Sequence, residues 1–175
     1  MRPRQILLSS IVIILALAVS TSGAIAQEAA IDLSAPNAAE QWRFSDSNAK
    51  IANGELVLDG VMAPTYAFFL PSEWGDVTIK AKFLVEPRDQ GVLACGFVVR
   101  AVDGQTYYYV HYDRGQAILC RSDKDESWHE IKRVGNLDKP AGTWHEGMLQ
   151  CVGDTIRVSL NGTLLYEAQD TTLKS

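Results

Sequence analysis

The side chains best suited to chemistry in this sequence lie along one short stretch. From Gln105 to Arg114 a period-two alternation places Tyr107, Tyr109, His111 and Asp113 on one face of a strand, and Tyr108, Val110, Tyr112 and Arg114 on the other. The set containing Val110 is the more core-like. The first set then lines the opposite, concave face with phenols, an imidazole and a carboxylate. Such a face suits a sugar, because rings stack on the apolar sides of a pyranose while polar tips bond its hydroxyls. Tyrosine is also a common strand former, so a purely structural reading of the same residues stays open. His111 is the best candidate for a catalytic acid or base, since an imidazole titrates near neutrality, and Asp113 is the carboxylate that spacing puts beside it. A hydrogen-bonded structural role for His111 is the alternative. Trp128 follows the acidic run Asp123-Lys124-Asp125-Glu126 and reads as an exposed platform.

These residues need elements to hold them, and the chain supplies strands. Val77, Ile79, Ala81, Phe83 and Val85 alternate with Thr78, Lys80 and Lys82, the pattern of a half-buried strand. Glu55 to Leu58 does the same after Asn53-Gly54, the strongest short hairpin cue. Further strand-like runs cover Gly91 to Ala101, Gln116 to Arg121, Trp128 to Val134, Trp144 to Val152, Thr155 to Leu160 and Thr163 to Ala168. Turn residues separate them at Asp103-Gly104, Arg114-Gly115, Gly135-Asn136, Pro140-Ala141-Gly142, Gly153-Asp154 and Asn161-Gly162. A convincing helical stripe is missing after residue 26. The fold class is therefore all-β, a two-sheet antiparallel sandwich of jelly-roll type.

The start of the chain reads differently. Met1-Arg2-Pro3-Arg4 is basic, Ile6 to Val19 is apolar, and Ala24-Ile25-Ala26 offers small residues for a peptidase. Residues 1–26 read as a cleavable secretory signal, 27–41 as a linker and 42–175 as one sandwich domain. The apolar run is shorter than the roughly 20 residues a membrane crossing needs, so no membrane insertion is expected after cleavage. The expected location is periplasmic or extracellular. After cleavage 14 basic residues face 21 acidic ones, a net charge near −7 that argues against nucleic acid or anionic lipid as partner. Cys95, Cys120 and Cys151 allow at most one intrachain disulfide and sit in strand-like stretches, as small buried hydrophobes would. Their spacing fits no zinc site.

The succession of pieces carries a family resemblance. Trp42-Arg43-Phe44, a Gly-Glu-Leu-Val-Leu strand, Asp76 to Phe83, a Gly-rich strand ending Phe97-Val98-Val99-Arg100, then Tyr107 to His111, Trp144 and an Asn161-Gly162 hairpin follow one another. Together they resemble the concanavalin A-like lectin/glucanase superfamily, and within it the bacterial 3-keto-disaccharide hydrolase domains and laminin-G-like domains. The resemblance implies that Arg100 and Arg121 project toward a sugar site, that Trp144 begins a core strand, and that a structural calcium is an option for Asp123, Asp125 and Glu126. It also implies a closing C-terminal strand, which is expected to be absent because the sequence stops at Ser175. The Glu-x-Asp-x-x-Glu strand of related glucanases has no counterpart, and the acidic run at 123–126 has the wrong spacing for carboxylates that must face each other about 5 Å apart.

Three functions follow as expectations. One is carbohydrate binding by an exported sandwich. The second is cleavage of 3-keto-glycosides, where a single base such as His111 and a cation such as Arg100 suffice beside an acidic C–H. The third is a laminin-G-like protein interaction.

Overall fold

The structure, a computed structural model, describes residues 31–59, 65–70, 76–87, 94–103, 105–125, 127–138 and 141–173, with the backbone of Ser10–Ile11, Ala16–Ala18 and Gln27–Ala29. The strands from Trp42 onward are β1 (Trp42–Phe44), β2 (Ala49–Ala52), β3 (Glu55–Leu58), β4 (Ala67–Phe69), β5 (Val77–Leu84) and β6 (Ala94–Val99). They continue as β7 (Tyr107–Asp113), β8 (Gln116–Ser122), β9 (Trp128–Val134), β10 (Trp144–Val152), β11 (Thr155–Leu160) and β12 (Thr163–Gln169).

Two antiparallel sheets carry the domain. One has the order β9-β8-β7-β6; the other runs β12-β11-β10-β5 and continues with Ala16–Ala18 and Gln27–Ala29. Two small pairs, β1-β4 and β2-β3, complete it, with Ser10–Ile11 beside β3. The alternation in β5 is realised as read: Val77, Ile79, Ala81 and Phe83 are buried while Lys80 and Lys82 face outward. The inner faces meet through Phe83, which stacks on Tyr112 of β7 at 5.2 Å and meets Phe97 of β6 edge-on at 6.3 Å. Tyr112 Oη donates to the Ser159 carbonyl at 2.9 Å, so the ring's polar end is satisfied across the sandwich.

Close packing of this interior explains two glycines. A Cβ on Gly147 would stand 2.6 Å from a Phe97 ring carbon, and one on Gly96 would stand 2.0 Å from the Val110 carbonyl oxygen. Tight turns behave as their residues require. Asn53-Gly54, Arg114-Gly115 and Asn161-Gly162 each place both central residues at positive φ, the type I′ geometry that matches strand twist.

Two expectations change, and the reading of the cysteines as buried hydrophobes does not. The segment over 31–41, expected as linker, belongs to the domain: it ends in a 3-10 turn over Ala38–Gln41, and Leu33 and Ala38 are buried in the core. Trp144 is not a core residue. Leu149 and Cys151 face inward, so parity turns His145 in and leaves Trp144 48% exposed on the outer face of its sheet. The three cysteines are free and buried; burial pushes the Cys120 thiol up to about 11 and Cys151 to about 12. The expected export signal, 1–26, lies outside the described residues apart from the two short backbone segments within it.

Candidate functional site

Strand β7 divides its side chains as the alternation requires. Tyr108, Val110 and Tyr112 are fully or almost fully buried in the core, while Tyr109, His111 and Asp113 lie on the outer face of the four-stranded sheet and are partly exposed. Tyr107 shares that outer face but is 8% exposed, because Tyr66 from the segment before β4 closes over it, Oη to Oη at 3.3 Å.

The outer face is an aromatic array. Trp128 at the start of β9 lies parallel to Tyr109, centroids 5.9 Å apart with an interplanar angle of 6°, and remains 58% exposed. His111 meets both rings edge-on, 5.6 Å from Trp128 and 5.7 Å from Tyr109. One side of the indole is thus braced by protein and the other is open. Braced, exposed indoles are suited to stacking on a flat apolar surface at low entropic cost.

Polar groups border the array. Register pairs Cys120 with both Tyr109 and Glu130, and Ile118 with both His111 and Arg133, so Glu130 and Arg133 stand on the same face. Arg133 Nε donates to both Glu130 carboxylate oxygens at 3.1 Å, and its Nη1 donates to Gln116 Oε1 at 2.8 Å. His111 Nε2 and Asp113 Oδ1 are buried without a hydrogen-bond partner among the described residues. Buried polar atoms are ordinarily satisfied, so these two stand out, as do Trp42 Nε1, His145 Nε2 and Tyr166 Oη elsewhere in the domain. Burial holds the His111 imidazole below its ordinary value, with Arg133 adding to the effect against the pull of Asp113 and Glu130. The ring is therefore neutral at neutral pH, with one nitrogen able to accept a proton.

Arg100 and Arg121, which the resemblance aims at a sugar, are placed elsewhere. Arg100 has φ 50°, which takes it out of the strand's alternation. It is buried, donating through Nη1 to the Leu173 carbonyl at 3.0 Å and through Nη2 to the Gly153 carbonyl at 2.7 Å and Asp76 Oδ1 at 3.2 Å. Arg121 pairs with Tyr108, not with the outer set, and reaches Asp123 Oδ1 at 3.0 Å, Asp170 Oδ2 at 3.2 Å and Thr172 Oγ1 at 2.8 Å. Tyr108 Oη donates to Asp170 Oδ1 at 2.6 Å and accepts from the Leu173 amide at 3.0 Å. Both arginines therefore clasp the segment 170–173 to the sandwich.

The acidic run is likewise occupied. Asp123 is shared between Arg121 and His129 Nε2 at 3.0 Å, Asp125 accepts from the Ser127 amide at 2.9 Å, and Glu126 lies outside the described residues. No cluster of three or more metal-ligating side chains occurs among the described residues.

Glu130, Arg133, Gln116 and Tyr66 are the members that sequence reading missed. Period two from Trp128 reaches Glu130. Arg133 faces the same way only because a bulge between Leu119 and Cys120 skips Ile131.

Comparison with known proteins follows the same lines. The structure is similar to the carbohydrate-binding module CBM66 from Bacillus subtilis, with a TM-score of 0.63 and 13% identity over 77% of this chain and 82% of that one. Sheep galectin-11 in complex with glycerol gives 0.45 and 16% over 59% and 80%. The kappa-carrageenase of Pseudoalteromonas carrageenovora, in complex with an oligotetrasaccharide of kappa-carrageenan, gives 0.48 and 13% over 78% and 72%. No curated protein matches the sequence. The first of these likenesses supports the concanavalin A-like jelly-roll fold. Residues 32–175 match one family along almost the whole described domain, and the chain accordingly belongs to the 3-keto-alpha-glucoside-1,2-lyase-like domains.

Proposed function

We propose that this chain is an exported carbohydrate-binding domain whose ligand stacks on Trp128. The observation that carries the proposal is the indole of Trp128, braced flat against Tyr109 and open on its other side, beside two buried polar atoms that lack partners. Family membership and a fold shared with a carbohydrate-binding module support the same ligand class. Export rests on residues 1–26, and no helix among the described residues is long and apolar enough to cross a membrane. Mature protein recovered from the periplasm or medium with Gln27 at its N-terminus would support it; full-length protein retained in the cytoplasm would refute it. Binding is tested by calorimetric titration of neutral and charged oligosaccharides. Heat that saturates, and that disappears in Trp128→Ala, supports the proposal; absence of binding to every glycan class tested refutes it.

A second reading, cleavage of 3-keto-glycosides, is favoured by the state of His111. A neutral imidazole with an unpartnered Nε2 is equipped to take the proton at C2, made acidic by the C3 carbonyl, as the bond from C1 to the leaving oxygen breaks, the electron pair forms the C1–C2 double bond, and the leaving oxygen takes its proton from water. Arg100 supplies no cation to this step, being held on Asp76 and two carbonyls on the far side of its strand. Release of the aglycone from a 3-keto-disaccharide, lost in a folded His111→Ala protein, supports this reading; undiminished release in that variant removes His111 from it.

A further inference from the structure

The carboxylates of Glu130 and Asp113 on the face around Trp128 are unevenly paired, Glu130 with Arg133 in a hydrogen-bonded fork and Asp113 with Arg114 in a loose ion pair. Arg133 spends its Nε and one terminal nitrogen on Glu130 and the other terminal nitrogen on Gln116. That cation is neutralised in place. Asp113 has no equivalent partner: the Arg114 Nε approaches its Oδ1 at 3.6 Å, too far for a hydrogen bond, on a side chain that is 69% exposed. Asp113 is itself only 17% exposed, so its charge is less screened than that of a surface carboxylate. Two positions back, on the same face, His111 Nε2 is the other unsatisfied atom.

An ammonium group brings three donors and no acceptor, the complement of a carboxylate next to an imidazole acceptor. A uronate or sulfate brings a further anion to Asp113 and Glu130, with Arg133 already taken and Arg114 offering only a solvent-screened charge drawn toward Asp113. We propose that the face selects glycans bearing free amino groups over anionic glycans, with Asp113 as the specificity-determining residue. This rests on the glycan-binding reading above. The chain's net charge of −5 acts in the same direction at long range, slowing the approach of polyanions.

The test is calorimetric titration with three oligosaccharides of equal length: glucosamine oligomers, their N-acetylated counterparts and galacturonate oligomers. At low salt the amine is expected to bind about five-fold tighter than the acetamide, the worth of one partly screened ion pair. The galacturonate is expected not to bind. The amine's advantage should vanish in Asp113→Asn and at about 1 M salt, where the Debye length is roughly 3 Å. Should Asp113→Asn fail to fold, Glu130→Gln provides the converse: it frees Arg133 and should admit galacturonate. Equal affinity for amine and acetamide, both lost in Trp128→Ala, overturns the charge selection and leaves the binding face standing. Tighter binding of galacturonate by the unaltered protein overturns it as well. No binding by any of the three overturns the charge selection, and binding of another glycan class that is lost in Trp128→Ala then leaves the face standing.

Discussion

Replacing Trp128 by alanine separates binding from stability in this fold. The indole is 58% exposed, so of a surface of about 250 Å² only about 100 Å² is in contact with the protein. At about 25 cal/mol per Å² that contact is worth at most about 2.5 kcal/mol, the parallel stack on Tyr109 included, and an extended reference chain makes this an upper figure. A loss of 1 to 2 kcal/mol is about right, lowering the melting temperature by roughly 3 to 8 °C. Binding should respond far more strongly. A central aromatic anchor contributes about 2 kcal/mol or more, so affinity should fall about 30-fold or beyond detection. Trp144→Ala is the matched control, since Trp144 is 48% exposed on the outer face of the opposite sheet. It should cost similar stability and leave affinity unchanged. Calorimetry of both variants, with near-ultraviolet dichroism to verify folding, decides the matter. Unchanged affinity in a folded Trp128→Ala protein, or equal losses in the two variants, refutes the assignment of the site to this face.

Three further outcomes are expected. Gly147→Ala should lower stability by about 1 to 3 kcal/mol because the new methyl meets Phe97 and Phe83, both buried; Gly96→Ala should be worse, since the obstacle at 2.0 Å is backbone, and thermal melts of the two would show the order. Burial alone would raise the Asp170 carboxyl, yet hydrogen bonds from Tyr108 and Thr172 and the Arg121 charge hold it below its ordinary value. A depressed carboxylate stabilises the fold above its unfolded pKa of about 4, and that contribution is lost as pH falls through the folded value. Protection from hydrogen exchange at residues 170–173, taken relative to the intrinsic rate at each pH, should therefore fall in acid in the unaltered protein, and in Asp170→Asn it should be low already at pH 7. The thiols of Cys95, Cys120 and Cys151 should ignore a thiol reagent in the native protein and all react in denaturant; reaction of any one under native conditions would contradict their burial.

Much of the scaffold was legible because the signals are local. Alternation in β5 and the Asn-Gly pairs state their structure within a few residues, and the outer set of β7 follows from parity alone. Trp128 was readable as a platform, although its bracing against Tyr109 depends on two intervening strand pairings. What was not legible depends on backbone departures from ideal repeats. Arg100 leaves its expected face through a single left-handed residue, and Trp144 sits outside because inward-facing His145 sets the parity. The burial of Tyr107 comes from Tyr66, 41 residues earlier, a contact that no pattern within one strand announces.

The skipped residue in β9 has a consequence for how such a face can change over time. Lys132 and Arg133 straddle it: Lys132 turns toward the sandwich edge, where its Nζ donates to the Glu167 carbonyl at 3.0 Å, and Arg133 turns outward to Glu130. If the irregularity were lost and β9 ran on in regular alternation from Glu130, Ile118 would face Lys132 and Ala117 would face Arg133, so the outer face would trade a forked cation for a point charge without losing its basic residue. Deleting Ile131 would straighten the ladder and leave both partners where they are. Adjacent basic residues at this point thus buffer the charge of the face against drift in strand length, so that insertions and deletions in β9 can be accepted while its electrostatic character persists.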